Sequence, residues 1–235
     1  MQVDDKLVYA IVPARSGSRG VPDKNIRKIL GRELISYSIE FARQLNSIDK
    51  ILLSTDSEKY ADIGREYGAE VPFLRSPWAA ADTSMEEDIL RDLRAQFETI
   101  NYSEPDIIVW LRPTFLFRNV YHVQECIDAL LNDPHISAAR TVVPAEPRQY
   151  RLAGGQLEAI FNDNGRDMVR RQDVEQTYQV YSTDVFRFKG RDITERFLGD
   201  NIYAVITDKK CGFDIDDLTD LLLAEQMMQL DMGIG

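Results

Sequence analysis

Arg15, Arg19 and Lys24 bracket a short loop, Ser16-Gly-Ser-Arg-Gly20, in which small residues alternate with charge. That mixture suits an anion. Gly17, Ser18 and Gly20 let the backbone approach a ligand closely, and their N–H groups can converge on it. The three cations add fixed positive charge where a triphosphate would lie. Far along the chain, Asp214-Ile215-Asp216 supplies two hard oxygen donors with one residue between them. In an extended segment both carboxylates fall on one face, roughly 7 Å apart at their Cα atoms. They could share a Mg2+ ion and the phosphates it bridges. With Asp217 and Thr219 they could equally cap the helix that follows, and spacing alone leaves both readings open.

Such groups need a frame. Leu7 to Val12 has the β-branched and aromatic content of a central strand, and Pro13, lacking an N–H, ends its ladder. A strand, then a glycine-rich cationic loop, then a helix is a recurring way to hold phosphates at the carboxyl end of a strand. The spacing is that of neither a P-loop nor Gly-x-Gly-x-x-Gly. Downstream, helices are expected over 34–45, 58–67 (closed by Gly68), 84–97 (with Asp82, Thr83 and Ser84 as candidate caps), 119–131 and 218–228. Strands are expected over 50–55, 106–111, 136–144 and 202–206, with a short one at 213–216. This alternation argues a doubly wound α/β fold with a mainly parallel sheet covered on both faces. Between Glu146 and Gly190 polarity rises and the pattern weakens. Gly154-Gly155 marks a tight hairpin there, between 150–153 and 156–161. The chain reads as one domain, 1–235, with 146–190 as a protruding excursion.

Several segments, in order, resemble one family. Ala14-Arg15…Ser18-Arg19-Gly20-x-Pro22-x-Lys24-Asn25 is similar to the nucleotide loop of the sugar cytidylyltransferases, nearest to the CMP-sialic acid synthetases (acylneuraminate cytidylyltransferases). Gly31 to Ile39, Leu53 to Ser57, Gly68 to Arg75, Ala81-Asp82-Thr83 and Phe213 to Glu225 follow the same family, with Glu33 standing where it has proline. The resemblance implies a nucleotidyltransferase Rossmann-like fold. It puts Ala14, Arg15, Ser18, Arg19, Gly20, Lys24, Asn25, Arg75 and Asp82 on CTP, and makes Asp214 and Asp216 the Mg2+ ligands rather than caps. Arg15, Arg19, Lys24 and the two aspartates would carry catalysis. Arg112, Thr114, Arg171 and Gln172 would meet the sugar. It further implies a homodimer in which the excursion reaches the partner's site.

The departures lie on the sugar side. Leu111-Arg-Pro-Thr-Phe-Leu-Phe-Arg118 has Arg112 where the family has glutamine, exchanging a neutral donor and acceptor for a fixed cation. Arg170-Arg171-Gln172 keeps the family's Arg-Arg-Gln, and an arginine there suits a sugar carboxylate. Tyr178 to Phe186 lacks the family's Asn-Gly.

Composition narrows the classes. A net charge of −11 over 235 residues argues against a nucleic-acid surface while allowing a local basic pocket. No apolar run is long enough for a membrane helix and no leader pattern opens the chain, so a cytoplasmic location is expected. Two cysteines, Cys126 and Cys211, and two distant histidines, His122 and His135, lack metal-ligand spacing. The expected activity is CTP-dependent activation of an acidic 2-keto sugar of the sialic (nonulosonic) type, releasing the CMP-sugar and pyrophosphate. A 3-deoxy-octulosonic-type acid, or a CTP-binding protein of weakened activity, are the alternatives.

Overall fold

The apolar run expected as a central strand forms β1 (Val8–Pro13), whose first five residues are buried. The chain, seen in a computed structural model that describes residues 6–17 and 21–233, then alternates helices and strands much as its periodicity predicts. The miniature pair β2 (Lys28–Ile29) and β3 (Arg32–Glu33) leads into α1 (Leu34–Ala42). There follow β4 (Lys50–Ser54), α2 (Glu58–Glu66), α3 (Glu86–Thr99), β5 (Ile107–Leu111), α4 (Val120–Asn132) and β6 (Ala138–Pro144). The hairpin β7 (Tyr150–Ala153) and β8 (Gln156–Ala159) precedes β9 (Tyr178–Arg187), β10 (Ile202–Ile206) and α5 (Leu218–Asp231).

Six strands form one sheet in the order β10-β6-β9-β5-β1-β4. β1 pairs in parallel with β4 and β5, and β6 with β10; β9 runs antiparallel between β5 and β6. The sheet is therefore mixed and mostly parallel, as expected. From β1 the chain goes to β4 on one side and then crosses to β5 on the other. That leaves a crevice beyond the carboxyl ends of β1 and β5, where ligands settle in open α/β sheets. Apolar layers cover both faces: Ile35, Ile39 and Ile127 among those on one, Leu90, Leu93 and Phe97 of α3 on the other.

Two turn predictions rest on glycine, and both hold. Gly68 is left-handed (φ +84°) and its N–H bonds the Arg65 carbonyl at 2.9 Å, which ends α2. Gly154 and Gly155 both have positive φ, as a two-residue hairpin requires.

Three expectations are corrected. The excursion expected over 146–190 is shorter, because β9 belongs to the central sheet; the polypeptide leaves the sheet after Pro144 and rejoins it at Tyr178, residues that face each other in register. The start of α3 is not capped by Asp82, Thr83 or Ser84. Asp88 accepts from the Met85 N–H at 3.0 Å there, while Asp82 is engaged by Arg15 and the Ser84 hydroxyl donates to Trp78 O. Residues 213–216 form no strand. They are an extended strap pinned by the bond from Ile215 N to Thr114 O (3.2 Å) and by Ile215 itself, fully buried with Ile29, Leu34 and Phe117. Burying one such side chain is worth ~2 kcal/mol, enough to keep the aspartates on either side in place.

Candidate active site

Where β1 ends, Ala14 is buried and its N–H still bonds Ser54 O at 2.9 Å, so the loop leaves from a fixed root. Asp56 accepts from both the N–H and the hydroxyl of Ser16 (2.8 and 2.9 Å), and Asn25 Nδ2 donates to Arg15 O at 3.1 Å. The two ends of the cationic loop are thus tied down. Ser18, Arg19 and Gly20 lie outside the described residues. Arg15 and Lys24 do project together into a cavity of about 300 Å3, lined also by Asn25, Arg75, Glu86, Trp110, Arg112 and Thr114.

The cations are held with different strengths. Arg15 pairs with Asp82 at 2.5 Å, both partly exposed; such a pair is worth under ~1 kcal/mol, so Arg15 can exchange it for a phosphate. Lys24 Nζ donates to Ile215 O at 2.7 Å and stands 3.7 Å from Asp216 Oδ1, which joins the loop to the acidic strap. Arg75 is buried, and its guanidinium donates to the hydroxyl and carbonyl of Ser54. No carboxylate among the described residues bonds it. Burial pulls its pKa down to about 10, although Asp56 and Asp92 lie near enough to oppose the fall. A desolvated guanidinium without a paired anion, lining a cavity, is a donor awaiting a ligand.

On the acidic side, Asp217 rather than Asp216 caps α5, accepting from Thr219 N and Asp220 N at 2.7 and 2.9 Å. That frees the aspartates before it. Asp214 Oδ1 is buried without a hydrogen-bond partner. Burial, reinforced by the charge of Asp216, raises its carboxyl above the ordinary aspartate value, against the pull of Thr114 and Lys24. An orphaned carboxylate oxygen is costly unless something positive takes it. Among the described residues no group of three or more His, Cys, Asp or Glu converges. A cation here would hold two protein carboxylates and fill its shell from phosphate and water, the usual Mg2+ arrangement.

Arg112 is the centre of a charge cluster. Its Nη1 donates to Asp184 at 2.9 Å, and its Nε and Nη2 share one oxygen of Glu86 at 3.4 and 3.1 Å. Burial would depress this guanidinium, but Asp184 and Glu86 hold it above its ordinary value. Asp184 is nearly inaccessible on β9 and also accepts from Arg140 at 2.5 Å. Arg118 beside it donates to Thr183, Ser38 and the Arg112 carbonyl, and burial brings its pKa down to about 9.

The cavity thus gathers Arg15, Lys24, Asn25, Arg75, Arg112 and Thr114, with Asp82, Asp214 and Asp216 bonded to or beside its lining. It does not gather Arg171 and Gln172. These sit in an exposed turn of the excursion, where Arg171 donates to Ala145 O at 3.4 Å. Sequence reasoning missed Glu86, Asp184 and the strut Asp56. Asp56 lies in a segment that matched the family, so a signal existed; Glu86 is one of three consecutive acids in a helix's first turn and carried none.

The chain matches the cytidylyltransferase family over residues 9–230 and belongs to it. It is 29% identical over 226 residues to post-translational flagellin modification protein B of Campylobacter coli, covering 94% of this chain and 95% of that one. It is 28% identical over 229 residues to the N-acylneuraminate cytidylyltransferase of Escherichia coli, covering 94% of this chain but only 52% of that protein, about half its length. A CMP:2-keto-3-deoxy-manno-octonic acid synthetase solved with CTP superposes with a TM-score of 0.70 at 15% identity, over 96% of this chain and 99% of that one. At that identity it is the fold that is shared. The family resemblance read from the loop and strap motifs therefore stands.

Proposed function

We propose that the chain activates an acidic 2-keto sugar of the nonulosonic (sialic) type with CTP. The anomeric hydroxyl attacks the α-phosphorus, the bond to the β-phosphate breaks, and pyrophosphate leaves with the CMP-sugar formed. The observation that carries this is the single cavity in which Arg15, Lys24, Asn25 and the unpaired Arg75 converge beside an orphaned carboxylate. Displacements of this kind need positioning and charge neutralisation more than covalent chemistry. Arg15, Lys24 and the loop amides hold the triphosphate and offset charge on the leaving pyrophosphate. Arg75, rigid on Ser54, orients the nucleoside end. Asp214 and Asp216 would hold Mg2+, which would supply charge neutralisation and Lewis acidity there.

A second copy of the chain completes the acceptor side. Support comes from Arg171 and Gln172 standing outside the cavity, and from the apolar side chains that the excursion exposes, Leu152, Leu157, Ile160 and Met168. Among the described residues no helix is long and apolar enough to cross a membrane. Because the reaction draws on CTP, we place it in the cytoplasm.

The test is Mg2+-dependent pyrophosphate release from CTP with N-acetylneuraminate, legionaminic, pseudaminic and 3-deoxy-octulosonic acids. Release with a nine-carbon acid is the expected result; release with the octulosonic acid alone would move the substrate class. Tight CTP binding with no release from any acid would leave a binding protein.

A further inference from the structure

Resting on the nucleotidyl-transfer reading, we propose that Glu86 is a placeholder carboxylate: it occupies the edge of Arg112 that receives a two-oxygen anion of the substrate, and it leaves when that anion binds. The two sides of the Arg112 guanidinium are not alike. Nη1 is anchored at 2.9 Å to Asp184, a residue with 4% of its side chain exposed that also binds Arg140. This side is the fixed one, since the buried Asp184 serves two half-buried cations at once, and its loss would leave Arg140 without a carboxylate among the described residues. The opposite edge, Nε with Nη2, is the fork that a planar carboxylate fills with two parallel bonds. Here the fork is filled poorly. One oxygen of Glu86 straddles both donors, at 3.4 and 3.1 Å, both long for a charge-assisted pair.

Glu86 is also the easier member to move. Its side chain is 38% exposed, and it is the first residue of α3, where the helix N-terminus can favour its charge after release. Both residues line the cavity that holds Arg15, Lys24 and Arg75. At the Nε–Nη2 edge itself Glu86 is the carboxylate already in place, so an arriving anion replaces an existing one. Selectivity follows. A neutral sugar cannot displace Glu86, whereas an acid exchanges one carboxylate for another.

The fork could take either the carboxylate of the sugar acid or two oxygens of the CTP phosphates, and the geometry they share is a pair of oxygens. Glu86→Gln removes the competing charge and keeps the side-chain size. Steady-state pyrophosphate release is measured for wild type and Glu86→Gln, varying the acid and CTP separately, alongside Arg112→Gln. For a fork that receives the sugar, Glu86→Gln lowers KM for the acid about threefold or more and by more than it alters KM for CTP, and Arg112→Gln raises KM for the acid tenfold or more. A fall in KM for CTP instead assigns the same fork to phosphate. Unchanged or higher KM for both substrates in Glu86→Gln overturns the placeholder. Wild-type turnover judges the transferase reading separately. Should no acid be turned over, calorimetric titration of both proteins with CTP and with N-acetylneuraminate gives the same comparison, and no tightening in Glu86→Gln overturns the proposal.

Discussion

The two ends of the reaction are built in opposite ways. On the side we assign to the nucleotide the framework is rooted in the core: Asp56 holds Ser16, Ser54 holds Arg75, and the buried Ile215 holds the strap between its aspartates. On the side we assign to the acceptor, the excursion carries Arg171 and Gln172 on an exposed turn, beside apolar side chains that face solvent. A nucleotide common to all members of such a family can be met by a preassembled cavity. An acceptor that varies is met by a segment that can change without disturbing the sheet.

The sharpest test removes the strap's orphaned carboxylate. Asp214→Ala should cost about 1,000-fold or more in pyrophosphate release, the rate equivalent of ~4 kcal/mol. An active variant would deny the strap its role. Next, Asp184→Ala should destabilise the chain by ~3 kcal/mol, because it takes the carboxylate from Arg140 and leaves Arg112 with Glu86 alone among the described residues; thermal unfolding should then fall by roughly 6–12 °C. On the acceptor side, Arg171→Ala should raise KM for the acid by about tenfold, the loss of ~1.4 kcal/mol, and spare CTP. In the dimer we propose, mixing Arg171→Ala with Asp214→Ala subunits should restore turnover, since one site of each mixed dimer would keep both residues. No recovery would mean that each chain serves its own site.

A smaller effect runs against the first. Asp214 has a raised pKa, so its ionised form burdens the folded state. Stability falls as pH rises from the ordinary aspartate range through Asp214's own value, and it stays lower above. Asp214→Asn should therefore be more stable than wild type at pH 7 in the absence of metal, and the gain should vanish toward pH 3. Equal melting temperatures across that range would refute the burial argument. The mildest change is Leu152→Lys on the exposed hairpin. It should move monomer stability by less than ~0.5 kcal/mol yet shift sedimentation toward the monomer.

Legibility in the sequence divided along the same line. The nucleotide side announced itself because its residues are consecutive: an apolar strand, then glycines and cations, and later Asp-x-Asp. The hairpin was equally readable from Gly154-Gly155. β9 was not. Its buried half contains Ser182, Thr183 and Asp184, polar residues that look like a loop until their partners Thr141, Arg118, Arg112 and Arg140 arrive from other elements. Even its bulge, where Ser182 takes φ +37° and the register with β6 shifts near Arg140, has no glycine to mark it. Glu86 was hidden for a related reason. An acidic residue at a helix start has a sufficient local explanation, and only the tertiary approach of Arg112 gives it another.

The place where the excursion departs has a consequence for descent. Pro144 and Tyr178 face each other across one rung, and Ala145 N bonds Thr177 O at 2.9 Å, so the intervening segment begins and ends at a single closed joint. A cassette mounted in this way can be lengthened, shortened or traded between relatives at a modest cost in loop entropy, because the neighbouring strands never register the exchange. New acceptor preferences could then be acquired by splicing at one seam, with the chemistry of CTP inherited unaltered.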